Sequence, residues 1–217
     1  MARVGVFGGS FNPIHYGHLL LADDIQEILG LDRILFVPAA APPHKSAARL
    51  APAADRAEMV RLAIAAHPGF ATSDVELRRA GPSYTVDTLE ALAASGDTLF
   101  LIVGSETFLD LLSWRDPQRI ARLARLVVVP RAASAFDPDS AAAQKVLREI
   151  RVEGGFAPVA AGTPVPARGV LVVHAASLPI SASDLRRRVR EGRSLAYRVP
   201  EPVIQYIDAH RLYRANA

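Results

Sequence analysis

Short apolar runs alternate along this chain with longer stretches in which apolar residues return every three or four positions. Residues 3–7 form the first run, which is β-branched and stops at Gly8-Gly9, the pattern of a buried strand and a turn. Over 17–29 the residues Leu20, Leu21, Ile25, Ile28 and Leu29 keep helical spacing, and Gly30 is placed to cap that helix. Residues 33–38 predict a second strand, 39–49 a Pro/Ala-rich loop, and 52–66 a helix with Met59, Leu62 and Ile64 among its apolar positions. A strand over 71–77 and a helix over 85–94 follow, with Ser83 or Thr85 as cap. The clearest buried strands are 99–103 and 126–129, separated by a short helical stretch at 118–124. The Ala/Pro/Gly-rich region 132–168 predicts one helix near 140–150 and a loose loop. A last strand at 170–173 precedes helices near 183–191 and 200–209.

Strands that alternate with helices predict an α/β fold: a Rossmann-like, doubly wound parallel sheet with helices on both faces. The C-terminal helices, from about residue 175, are expected to pack beside it in one domain spanning 1–217. Ligands in such folds sit at the carboxyl ends of strands, near the point where strand order reverses.

Composition narrows the function classes. Half of the 217 residues are apolar and 22% are charged, which excludes disorder as the main state. The chain has no cysteine, so disulfide scaffolds, thiolate zinc sites and cysteine nucleophiles are excluded. Apolar runs such as 99–103 are too short to cross a bilayer, and Asn12-Pro13 arrives before a signal-peptide core could form. A cytoplasmic location without a membrane partner is therefore expected. The net charge of +3 is too small for a surface that coats nucleic acid, and the arginines at 186, 187, 188, 190 and 193 read as a solvated helix face. Only Lys45 and Lys145 are lysines among the 25 basic residues, so a single Arg says little and a retained Lys says more.

The candidate chemistry begins in the first turn after a strand, Gly8-Gly9-Ser10-Phe11-Asn12-Pro13-Ile14-His15-Tyr16-Gly17-His18. Adjacent glycines allow close backbone approach, the helix start offers free N–H groups to an anion, and His15 and His18 add donors at the same place. The plain alternative is a tight turn with two incidental histidines. Pro42-Pro43-His44-Lys45 presents two donors on a stiffened loop, or a solvent-exposed basic loop. Ser83-Tyr84-Thr85-Val86-Asp87-Thr88-Leu89 reads locally as a helix start. Glu106 follows the strongest strand, and the sole tryptophan, Trp114, lies shortly beyond it, where a core aromatic is the simple reading. Arg131 stands at a strand's carboxyl end, where a guanidinium can hold a phosphate bidentately. Ile180-Ser181-Ala182-Ser183-Asp184-Leu185-Arg186 is an ordinary capped helix start, or an anion site built from hydroxyls, helix terminus and Arg186. No HExxH, no phosphate loop of the G-x-x-x-x-G-K-[ST] type and no Ser-His-Asp pattern is present.

Taken in order, these segments resemble the HxGH nucleotidyltransferase superfamily. The long form of the first motif, with P-P-H-K and S-Y-T-x-D-T-L, is similar to its bacterial nicotinate-mononucleotide adenylyltransferase branch. The chain departs from that pattern at Glu106, where the branch has Asp, and at Ala182 and Ser183, which replace Ser and Thr. The resemblance implies adenylyl transfer from ATP to nicotinate mononucleotide in NAD synthesis, by direct in-line attack, with Mg²⁺ accompanying ATP and no dedicated metal cage. It implies His15, His18 and Lys45 as catalytic groups. Gly8, Gly9, Ser10, Phe11, Ser181, Ser183 and Arg186 would attend the ATP phosphates. His44, Tyr84, Thr85, Glu106, Trp114 and Arg131 would form the acceptor site, with the nicotinate carboxylate at the helix start and the pyridine ring on Trp114. It leaves self-association open and gives nucleic acid no role. Two alternatives stand beside it: transfer to another acceptor, such as nicotinamide mononucleotide or phosphopantetheine, and a nucleotide-binding module without turnover.

Overall fold

Strand β4 (Thr98–Gly104) shows how this sheet is built. Its side chains point alternately to two apolar layers, Leu99, Leu101 and Val103 to one and Phe100 and Ile102 to the other. A strand covered on both faces reads as one continuous apolar run, as expected in a parallel sheet. The computed structural model describes residues 1–42, 50–130 and 136–214. Within them β4 joins β1 (Arg3–Gly9), β2 (Arg33–Pro38), β3 (Phe70–Thr72), β5 (Arg125–Val129), β6 (Phe156–Val159) and β7 (Val170–Val173). All pairings are parallel, in the order β3-β2-β1-β4-β5-β7-β6. The Rossmann-like α/β expectation holds, and the strand order reverses between β1 and β4.

One layer receives α1 (Tyr16–Leu29), α2 (Ala53–Ile64), α7 (Ala182–Arg190) and α8 (Glu201–Ala209) through Ile25, Met59, Leu185 and Val203. The opposite layer receives α3 (Thr85–Ala93), α5 (Pro117–Leu123) and α6 (Ala141–Glu149) through Leu89, Ile120 and Val146, together with the short α4 (Ser105–Leu109) through Phe108. The C-terminal helices thus lie beside the sheet, and α8 is tied to α2 by the Tyr206 hydroxyl, which donates to Asp55 Oδ1 at 2.8 Å. Gly30 ends α1 in the left-handed region (φ 57), and the next amide, Leu31 N–H, donates back to Gln26 O at 2.9 Å. No helix among the described residues is long and apolar enough to cross a membrane.

Four local expectations need correction. The strand foreseen over 71–77 is only Phe70–Thr72, because the chain turns inward to bury Glu76, whose Oε1 accepts the Thr88 hydroxyl at 2.7 Å. The loose loop within 132–168 contains β6, an edge strand in which Pro158 lacks the N–H that an inner strand would need. Residues 105–113, given no element, form α4 and a 3-10 turn at Leu111–Ser113, both too short for periodicity to reveal. Neither Ser83 nor Thr85 caps α3; Tyr84 holds the cap position without a side-chain bond. Ser83 instead staples the chain after β2, accepting Ala41 N–H on its Oγ at 3.1 Å and donating its own N–H to Ala41 O at 3.0 Å.

Phe36 on β2 lies fully buried against Phe7, Phe11 and Phe70, with ring centroids 5.1–5.8 Å apart. Truncation to Phe36→Ala leaves a cavity under the first turn and is expected to cost about 3–5 kcal/mol of unfolding free energy, read by urea denaturation.

Candidate active site

The reversal of strand order leaves a crevice over the carboxyl ends of β1 and β4. Gly8 is the penultimate residue of β1 and Gly104 ends β4, and a Cβ on either would meet no atom of the described residues within 4 Å. No packing among the described residues requires glycine there, and the missing side chains leave the backbone open to close approach. Gly9 has an internal reason, since its Cβ would stand 3.1 Å from the Phe11 ring.

Phe11 turns the chain. It adopts φ 42, an uncommon conformation for a residue with a side chain, and is 2% exposed. Its ring packs edge-on to Phe7 (5.7 Å) and His18 (5.2 Å). Asn12 follows, buried and joined to Pro13 by a cis peptide bond. Its Oδ1 accepts Ala51 N–H at 3.0 Å and its carbonyl accepts Arg186 Nη1 at 2.7 Å.

His15 occupies the N-cap position of α1, with extended backbone. It is buried, and among the described residues its Nδ1 has no hydrogen-bond partner. Burial pulls its pKa down to about 4, so the ring is neutral at ordinary pH and offers hydrogen bonds rather than a positive charge. Gly17 of the H-x-G-H motif has a steric reason, because a Cβ there would press on the His15 ring at 3.1 Å. The two imidazoles lie against one another with centroids 3.8 Å apart. His18 Nδ1 accepts the His15 backbone N–H at 3.3 Å. A ring nitrogen that accepts carries no proton, so the hydrogen of the neutral His18 ring sits on Nε2.

The structure brings the last motif to this turn. The Arg186 guanidinium bridges Asn12 O and Ser183 Oγ (3.3 Å), while Ser181 Oγ is engaged as the α7 cap, accepting Asp184 N–H at 3.1 Å. On the other side, Tyr84 and Thr85 stand at the start of α3, and Arg115 lies 4.9 Å over the Tyr84 ring. Trp114 is half-buried against the same apolar layer as Tyr84. Glu106 is exposed in the first turn of α4, directly after β4. His44, Lys45 and Arg131 lie outside the described residues.

Sequence reasoning missed Arg56, which is 1% exposed and donates to Ser10 O, Ala40 O and Ala51 O. Its signal was its place on the buried stripe of α2 with Met59 and Val60, three and four residues on, where a cation is out of pattern.

A family model described as cytidylyltransferase-like matches residues 6–188, from β1 into α7. The chain is 44% identical to the probable nicotinate-nucleotide adenylyltransferase of Geobacter metallireducens, over 97% of this chain and 98% of the relative. The chain belongs to the nicotinate-nucleotide adenylyltransferase family. The Thermus thermophilus protein of the same name is 42% identical, over 98% of this chain and all of the relative. In fold, the chain matches the Plasmodium falciparum nicotinic acid mononucleotide adenylyltransferase complexed with NaAD, with a TM-score of 0.71 at 19% identity over 98% of both chains. Membership in the adenylyltransferase family fits the ordered run of motifs from β1 to α7.

The neutral, buried His15 carries a pH signature. Its folded pKa, about 4, lies below the 6.5 of an unfolded His, so keeping the ring neutral costs nothing above pH 6.5 and costs progressively more stability as pH falls towards 4. Wild type is expected to lose roughly 3 kcal/mol more than His15→Gln over that interval, measured by urea unfolding at stepped pH.

Proposed function

We propose that the protein transfers the adenylyl group of ATP to nicotinate mononucleotide, giving deamido-NAD and pyrophosphate in NAD biosynthesis. The observation that carries this reading is the His15–His18 pair at the start of α1, set beside two strand-end glycines that leave room for a nucleotide. Imidazoles, hydroxyls and helix-terminal N–H groups are donors for phosphate oxygens. They suit a triphosphate that brings its own cation better than a bare hard ion.

In the reaction a phosphate oxygen of the mononucleotide attacks the α-phosphorus of ATP in line. A new P–O–P linkage forms, the bond to the β-phosphate oxygen breaks, and pyrophosphate leaves. No residue becomes covalently modified, so catalysis consists of positioning two polyanions and neutralising developing charge. His18, with its Nδ1 held by the His15 amide, directs the Nε2 hydrogen towards the phosphates. His15 works beside it as a neutral donor. Ser183, Arg186 and Lys45 support the triphosphate, and Mg²⁺ brought in with ATP would offset phosphate charge, held by the phosphates and water rather than by a dedicated carboxylate cage.

The acceptor site is assigned to the start of α3 with Tyr84 and Thr85, to Trp114 for stacking, and to Glu106, His44 and Arg131. A carboxylate at exposed helix N–H groups gains more than a neutral amide does, which favours the acid. The chain works as one nucleotidyltransferase domain in this reading.

Pyrophosphate release with Mg-ATP tests it, with nicotinate mononucleotide, nicotinamide mononucleotide and phosphopantetheine in parallel. The nicotinate form is expected to lead in kcat/KM by roughly tenfold or more over the amide. ATP binding without release from any acceptor would sink the reading. Replacement of His18 by Ala should lower kcat by about 10²–10⁴-fold with an unchanged circular dichroism spectrum, and near-normal turnover would remove His18 from its role.

A further inference from the structure

Arg56 is the largest fully buried side chain of the described residues, and its three bonds all go to backbone. Nε donates to Ala51 O at 2.9 Å, Nη1 to Ser10 O at 2.8 Å and Nη2 to Ala40 O at 3.2 Å. These carbonyls belong to three segments: the turn after β1, the exit of β2 and the approach to α2. A buried guanidinium is costly to desolvate, and burial lowers its pKa, with the Glu76 carboxylate contributing an opposing charge effect. Apolar side chains would fill the same space with no such penalty. What a planar fork supplies and they do not is fixed geometry towards three acceptors at once.

We propose that Arg56 is a positioning residue for adenylyl transfer. It touches no substrate and sets the turn that carries Phe11, Asn12 and His15. The inference rests on the functional reading above. Two further bonds close the frame around the fork: Ala51 N–H to Asn12 Oδ1 at 3.0 Å and Ala39 N–H to Gly9 O at 2.9 Å. With Ser10, Ala40 and Ala51 held to one rigid plane, the backbone of the turn has a single place to run. Arg186 then fixes its far side through Asn12 O. His15 and His18 begin α1 immediately after this frame, so their position relative to the α-phosphorus follows from it.

The test uses the full chain with Arg56→Lys and Arg56→Gln, assayed well below each variant's own unfolding midpoint. Lysine keeps the charge and most of the stem but loses the planar fork. In both variants kcat is expected to fall about 10–100-fold and KM for ATP to rise, while KM for nicotinate mononucleotide stays within about threefold. Mg-ATP binding by calorimetry should weaken, and the Ala39 and Ala51 amides should exchange hydrogen faster. Normal kcat and ATP affinity in a folded variant would overturn the proposal. So would a parallel rise of both KM values, which marks general loosening. Should neither variant fold, Asn12→Ala cuts the same frame from the other side, and unchanged Mg-ATP binding there would overturn the proposal as well. Calorimetry and exchange need no acceptor. A wild type that turns over no nicotinate mononucleotide therefore fails the functional reading, while binding and exchange still decide whether Arg56 sets the turn.

Discussion

The burial of the Phe11 ring decides how the chain leaves β1. A non-glycine residue in the left-handed region costs on the order of 1–3 kcal/mol. Burying a phenylalanine gains about 1.5–3 kcal/mol, and each edge-on aromatic contact adds about 0.5–1.5 kcal/mol. Phe11 meets Phe7, Phe36 and His18, so packing outweighs strain and the tight turn holds. Gly9 stays small to admit that ring, Gly17 stays small to admit His15, and the imidazole pair comes to rest at the start of α1. The site's shape is thus a by-product of core packing one layer beneath it.

The electrostatic character follows. His15 is kept neutral by burial, and among the described residues two guanidinium groups bond to carbonyls of the turn. Arg186 reaches Asn12 from α7, and Arg56 reaches Ser10 from α2. Cations whose donors are partly taken up by the backbone still project positive potential without collapsing onto an acidic neighbour. On the proposed reading, a polyanion would meet a field arranged in advance, which stabilises charge that appears during a reaction without reorganisation.

Much of this was legible in the residues. The apolar runs marked β1, β2, β4, β5 and β7 because strands buried on both faces admit few polar residues, and Gly30 marked the end of α1 because a left-handed cap favours glycine. The motif at residues 8–18 pointed to the strand end where the crevice lies. What stayed hidden had physical causes. β6 is an edge strand with a proline, and α4 is a single turn. Glu76 and Arg56 are polar residues turned inward, each tied to a partner well removed in sequence, Thr88 for Glu76 and Ser10 for Arg56. Ser83 looked like a cap from local sequence, but its hydroxyl pairs with Ala41 across 42 positions.

The sheet order also has a temporal side. β7, the last of these seven strands to leave a ribosome, sits between β5 and β6 rather than at an edge. When β6 emerges, β7, its one neighbour among the described strands, does not yet exist, so that segment waits for residues 170–173 to follow. α7, whose Arg186 grips the turn after β1, comes later still. Synthesis from the N-terminus therefore builds the crevice over β1 and β4 early and fastens its turn late. A nascent chain halted before α7 would hold both histidines but not the clasp that seats them.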